Sequence, residues 1–450
     1  MLEITSRAGW RASGGTRRMA YLAGALILFF GLLVSIALHE LGHFSFAKLF
    51  KVRTTQFMVG FGPTMKSWRR GETEYGIKWI PLGGYIRMIG MLPPRKGDAP
   101  GQIRRASTGP WQGLIESARG AALEEVRPGD EDRVFYAKKW WQKMLIMIGG
   151  PAMNLVLAVL FFAILLMGIG TNQPQPVIDQ VAQCIVPASQ ADLRACPANA
   201  PPTPAKQVGL QPGDRIVTFG GTKIDDYRDL QNLIRDSGGR SVPMTVRRDG
   251  KDLTLTVPIT RNQLRDLEDE DKIVNVGFLG ITPASAIERE GPGAVASTMG
   301  DLTARTAGAL VRMPQKMVGV WNAAFGGEER DPNGPIGVVG VSRIGGEVAA
   351  DEDYTATQKV SYFVMLLGSL NLAVGLFNLV PLLPLDGGHI AGAILEAIKK
   401  LFAKIFRRPD PGYVDVAKAL PVTYVMAAVL IVMGGLLIYA DLFNPVRVTG

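Results

Sequence analysis

Four stretches without a charged side chain, Met19–Leu38, Met144–Gly170, Val360–Leu385 and Ala419–Ala440, constrain this chain more than any other feature. About 20 apolar residues in a helix cross the hydrocarbon of a bilayer, and each run meets that length. Lipid offers no partners to backbone polar groups, so each run is expected to form a helix. No small-x-small cleavage site follows the first run, which reads as a span rather than a removable leader. Long polar segments separate the runs, and 47% hydrophobic content is high for a soluble domain. A multi-pass α-helical membrane protein of about four transmembrane helices, carrying water-exposed parts, is the expected fold class.

The net charge of +9 follows this topology. Lysines and arginines gather near the ends of the segment between runs one and two (Lys51, Arg53, Arg133, Lys138, Lys139). They also gather between runs three and four (Lys399, Lys400, Lys404, Arg407, Arg408). Positive residues favour the cytoplasmic side, so both segments are expected there, with residues 171–359 and both termini outside. Arg17 and Arg18 oppose this assignment and are outweighed. No nucleic-acid partner is expected. Cys184 and Cys196 both fall in the outside segment, where a disulfide is chemically permitted and two free thiols equally so.

Composition divides the chain further. Residues 1–50 hold the N-terminus and first span, and 51–92 read as a membrane-associated β-hairpin region rich in β-formers punctuated by glycine. Residues 93–139 have the Pro, Gly, Arg and acidic content of a solvated cytoplasmic loop. The second span covers 140–170. A β-rich segment over 171–285 begins with a Pro/Ala-rich linker, contains a helical pattern at "YRDLQNLIRDSG" and a hairpin turning at Asp249-Gly250. Residues 286–357 form an amphipathic region, and the last two spans cover 358–403 and 417–442.

The first span runs directly into "HELGH", His39 to His43. Two histidines four apart project from one face of a helix and can hold one ion. Glu40 stands beside the first, where its carboxylate can take a proton from a water whose pKa zinc lowers to about 7. Ionisable groups in a span are expensive and mark function by default. The chain has three histidines, and two occupy this motif. Zinc needs a third protein ligand. Asp386 and His389 close the third run in "NLVPLLPLDGGHI"; spans one and three cross in the same direction, so both motifs fall toward one face. Asp386 is the first candidate for the third ligand and His389 the second.

With HELGH in span one and LDG in span three, the chain resembles the site-2 protease family of intramembrane zinc metalloproteases. "VGFGPT" (Val59–Thr64), "IPLGGYIRMIGM" (Ile80–Met91), "GGPAMN" (Gly149–Asn154), "NGPIGVVG" (Asn333–Gly340) and "NLVPLLPLDGGH" (Asn378–His389) occur in that family's order. It is most similar to the bacterial branch with a PDZ domain between spans two and three, which includes the regulator of sigma-E protease and its actinobacterial counterparts. The resemblance implies that His39, His43 and Asp386 hold Zn2+, that Glu40 activates water, and that Asn378 handles the substrate backbone. It implies that the strand bearing Gly60, Phe61 and Gly62 faces substrate, and that residues 171–285 hold one inserted PDZ-like α+β domain that screens substrates. Implied substrates are single-span proteins already trimmed by another protease, such as anti-sigma factors, and remnant signal peptides. The implied location is the bacterial inner membrane, with the site toward the cytoplasm and the PDZ domain outside. Two other readings compete: an inert membrane adaptor binding tails through the PDZ domain, which the intact HExxH opposes, and a surface zinc protease using a later helical glutamate as third ligand, for which no suitable glutamate stands in the spans.

Overall fold

The computed structural model describes residues 14–94, 110–186, 196–197, 200–267, 272–328, 330–331 and 334–446. Two compact units emerge: Met1–Ile169 with Glu290–Gly450, and Gly170–Arg289.

The first unit opens with helix α1 (Gly14–Leu49), so that the first apolar run and HELGH lie on one continuous helix. Strands β1 (Thr54–Arg70) and β2 (Thr73–Met88) follow. Their register is double: Val59 pairs with both Gly84 and Ile77, and Met58 with both Tyr85 and Gly76. Each strand therefore bends back on itself, giving a four-limbed mixed sheet in the order 84–88, 54–61, 73–78, 64–70, in which the two inner limbs run parallel and each outer limb is antiparallel to its neighbour. Part of segment 93–139, expected as a loop, is helix α2 (Pro110–Glu124); residues 95–109 lie outside the described set. Averaging over the segment hid "ESARGAALE", whose Ala, Glu and Leu favour helix. Arg119 anchors α2 through paired hydrogen bonds of 3.0 and 2.9 Å to Asp415.

Helix α3 (Trp140–Ala163) continues as a π-helical turn over Ile164–Ile169. Its crossing with α1 is close because glycines meet: a Cβ at Gly149 would lie 2.6 Å from the Gly42 carbonyl oxygen. Small residues let backbones approach where lipid supplies no hydrophobic drive.

The second unit holds β3 (Thr171–Val181), α4 (Pro204–Gln207), β4 (Arg215–Phe219), β5 (Thr222–Lys223), α5 (Tyr227–Asp236), β6 (Ser241–Arg248), β7 (Lys251–Pro258), β8 (Thr260–Arg265), β9 (Ile273–Phe278) and β10 (Ile281–Glu288). The main sheet runs β10-β3-β4-β6-β7, with β5 beside β4 and β8-β9 as a separate pair. Asp249 and Gly250 both take positive φ, as a tight two-residue hairpin requires. Phe219, Leu230, Met244 and Ile259 fill its core. Cys184 and Cys196 form a disulfide, which settles the alternative left open above; residues 187–195 of the loop it closes lie outside the described set.

Back in the first unit, the expected amphipathic region is three helices: α6 (Pro292–Val311), α7 (Met313–Phe325) and α8 (Val338–Ala350). Met299 and Leu302 pack on Phe162, Leu165 and Leu166. The "NGPIGVVG" motif, of which Asn333 lies outside the described residues, has a local cause. The buried Asp441 carboxylate accepts from the Gly337 and Gly340 N–H groups at 2.9 Å each, and a Cβ at either glycine would collide with it. Helix α9 (Ala356–Asn378) starts at a Thr355/Gln358 capping box.

The third span does not continue to residue 403. Helix α9 ends at Asn378, Pro381 and Pro384 forbid its continuation, and α10 (Asp386–Ile405) starts anew with Asp386 in its first turn. Helix α11 (Leu420–Phe443) closes the chain. Among the described residues four helical stretches, Gly15–Leu49, Trp140–Ile169, Ala356–Asn378 and Val416–Phe443, are long and apolar enough to cross a membrane. Together with the β-sheet regions they make a membrane protein with a β domain.

In the β domain Asp214, 1% exposed, accepts from the Gln211 N–H and from Arg248 at 2.7 Å through two nitrogens. Burial pushes its carboxyl up, but Arg248 and the Gln211 N–H outweigh this and hold it below the ordinary value. The pair's stabilisation is therefore complete above the unfolded pKa of about 3.9 and is lost as pH falls through the folded value. In the intact protein, hydrogen exchange of this domain is expected to be faster in Asp214→Asn than in wild type at pH 7, with the difference vanishing in strong acid.

Candidate metal centre

Within α1, Ser35 Oγ donates to the Gly31 carbonyl and receives the Asn371 amide of α9 at 2.9 Å, which ties α9 to α1 one turn before His39. His39 and His43 then project together toward α3. His43 Nδ1 lies 2.8 Å from the Ile146 carbonyl oxygen. A carbonyl can only accept, so Nδ1 carries the proton and the Nε2 lone pair faces inward. This is the outer hydrogen bond that metal-binding histidines make almost without exception.

Three atoms converge there. His39 Nε2 and His43 Nε2 are 3.2 Å apart, and Asp386 Oδ2 lies 3.2 Å from each. Both histidines are buried, at 7% and 5% exposure. Four-coordinate zinc with bonds of about 2.0–2.2 Å spaces its ligands about 3.3–3.6 Å apart, so the observed triangle fits that ion within a few tenths of an ångström. The donor set, two imidazoles and a carboxylate with room for a fourth ligand, also matches catalytic zinc. Asp386 gains from its place at the N-terminus of α10, where the helix dipole favours negative charge.

The triangle opens on a cavity of about 460 Å³. Glu40, Asn378 and His389 line it with the three converging residues, and His389 stands outside the triangle. Glu40 accepts a hydrogen bond from the Ile86 N–H of β2. Gly83, Gly84, Tyr85, Ile86 and Met88 form the cavity's β wall. Gly60, Phe61 and Gly62, the strand expected to face substrate, do not line it. Gly60 and Phe61 end the limb 54–61, which is an inner one, paired on both flanks through Val59; Gly62 follows it, and the Phe61 ring stacks on Tyr85. The limb 84–88 is the edge: among the described residues no strand pairs on its outer side. The sequence signal for that wall was the glycine pair in "PLGGYIRM". Gly83 has φ of +98°, and at Gly84 a Cβ would stand 3.0 Å from Glu40 Cγ.

Gly150 packs against the imidazoles, and a Cβ there would lie 2.7 Å from His39 Nε2. Gly150→Ala is expected to displace both rings and weaken retention of metal by about tenfold or more, by metal analysis of purified protein. Gly434→Ala, on α11 with open space around it, is expected to keep the wild-type content.

A family profile described as Peptidase family M50 matches residues 27–407. Zinc metalloprotease Rip1 of Mycobacterium tuberculosis is 34% identical over 445 residues, covering 95% of this chain and 99% of that protein. Rip1 of Mycolicibacterium smegmatis is 33% identical over 444 residues, covering 96% and 100%. Metalloprotease MmpA of Caulobacter vibrioides is 27% identical over 409 residues, covering 85% and 88%. With a profile match over most of its length and near end-to-end relatives at this identity, the chain belongs to peptidase family M50, the site-2 proteases, and is a membrane-embedded zinc metalloprotease.

Proposed function

We propose that this protein hydrolyses a peptide bond within the transmembrane segment of single-span membrane proteins, using His39, His43 and Asp386 to hold zinc and Glu40 as general base and acid. The convergence of those three side chains beside Glu40, in one cavity among apolar helices, carries the reading. Zinc bound there supplies Lewis acidity toward the scissile carbonyl and lowers the pKa of the attacking water. Glu40, held by the Ile86 N–H, takes the proton from water and passes it to the leaving amine.

A bond in a transmembrane helix is shielded by its own turn, so it must unwind before attack, and freed backbone groups in lipid are costly. Strand addition would satisfy them. The edge available for this is Gly84–Met88, whose neighbours Gly83 and Glu40 are already at the cavity. Asn378, at the end of α9 on the same cavity, is assigned to the substrate backbone. The β domain, 171–285, acts as a PDZ module that admits substrates whose outer part another protease has removed. Anti-sigma factors and remnant signal peptides fit this requirement. The positive segments support a site toward the cytoplasm and a β domain outside the inner membrane, a compartment that suits the Cys184–Cys196 disulfide.

Two outcomes test this reading. Glu40→Gln is expected to retain zinc and lose cleavage of a spanning test substrate in detergent by at least about 10²–10⁴-fold; cleavage equal to wild type would remove the catalytic assignment. Asp386→Asn is expected to lose stoichiometric zinc, measured on the purified protein; full retention would transfer the third-ligand role to another residue.

A further inference from the structure

One buried ion pair has no part in the chemistry above. Lys143, in the first turn of α3, places Nζ 2.8 Å from Glu396 Oε2 on α10, and their side chains are 8% and 3% exposed. Lys400 holds the second carboxylate oxygen at 3.0 Å, and Lys143 lies over the Tyr413 ring. Desolvating such a pair offsets most of its Coulomb attraction, so net stability is a poor reason for it to exist. Its place in the bundle supplies a better one.

Helix α3 touches both halves of the metal centre. Ile146, one turn after Lys143, holds the His43 ring through its carbonyl, and Gly150 backs both imidazoles. Asp386 belongs to α10, which begins after a proline-interrupted link and is not continuous with α9. What sets Asp386 against the histidines is therefore the close packing of the link on the start of α10, where Gly387 meets the Val380 carbonyl, together with the registration of α10 on α3. Apolar contact contributes: Ile390 packs on the cluster containing Ile146 and Met147. Apolar packing tolerates sliding; a directional ion pair does not. Glu396 is ten residues from Asp386, a lever of about 15 Å along α10.

The geometry points to Lys143 and Glu396 as positioning residues for the metal centre, an α3–α10 latch that sets Asp386 within bonding range of an ion held by His39 and His43. This rests on Asp386 being a zinc ligand. Metal sites tolerate about ±0.2 Å in their bonds, so a small slip of α10 is felt at zinc before it is felt by the fold.

The test is zinc affinity of full-length protein in detergent, by competition with a chelating indicator, with kcat and KM for a spanning substrate at limiting and excess zinc. Lys143→Met leaves Glu396 its Lys400 partner, and Lys143→Met/Glu396→Leu removes both members of the pair. Each is expected to bind zinc about 10–100-fold more weakly, the range seen when outer partners of ligands are lost. Their kcat is expected to fall at limiting zinc and recover at excess zinc with KM unchanged. Lys143→Arg, which keeps the pair, is expected to match wild type. A merely structural pair would lower the melting temperature and leave zinc affinity alone. Asp386→Asn separates the two readings. If it loses zinc while both Lys143 variants bind normally, the latch is overturned and the ligand assignment stands. If it keeps zinc, the ligand assignment fails, and the latch with it.

Discussion

Two imidazole nitrogens and a carboxylate oxygen held 3.2 Å apart inside an apolar bundle need a shared positive charge among them, a metal ion or a proton. The rest of the first unit can be understood as what is needed to impose that arrangement. The proton on His43 Nδ1 is committed to a backbone carbonyl, which aims the other nitrogen inward. Asp386 is brought in at a helix N-terminus, where its charge is most easily carried. Neither device would matter in water, where side chains can reorient at little cost. In a low-dielectric site they decide whether the centre exists.

Close backbone approach makes the arrangement possible. Gly42 against Gly149 and Gly150 against the imidazoles allow α3 to reach the metal side of α1 with no side chain between. The β wall approaches from another direction through Gly83 and Gly84. The resulting cavity has Glu40, the His39–His43–Asp386 triangle and, among the described residues, an unpaired strand edge on its walls, which is the set of parts the proposed cleavage requires. Specific polar contacts reinforce the bundle: Asn371 of α9 to Ser35 of α1, Lys143 of α3 to Glu396 of α10, and Arg330, before α8, to Asp441 of α11.

The spans and the candidate triad His39, His43 and Asp386 are legible because their signals are local and strong. Uncharged runs of sufficient length have one stable outcome in lipid, and a His-x-x-x-His pair on a helix has one geometry. The two prolines before Asp386 signal a break; the break is complete, and a new helix begins at Asp386 itself. Which limb lines the cavity as an edge has no local signal in the sequence, for a physical reason. Side-chain pattern marks a segment as β, but which limb is an edge depends on how two long strands fold back, and Val59 pairing with both Gly84 and Ile77 has no signature in composition. Helix α2 was hidden by the polar residues around it. The Lys143–Glu396 contact joins positions 253 residues apart and could be found only in three dimensions.

The centre's ligand set is the claim on which everything else stands, and zinc-edge X-ray absorption on the purified protein reads it without reference to activity. The account predicts two imidazole ligands and light oxygen neighbours at about 2.0–2.2 Å, with no sulfur in the shell. A spectrum with a single imidazole, or with a sulfur scatterer at about 2.3 Å, would contradict it.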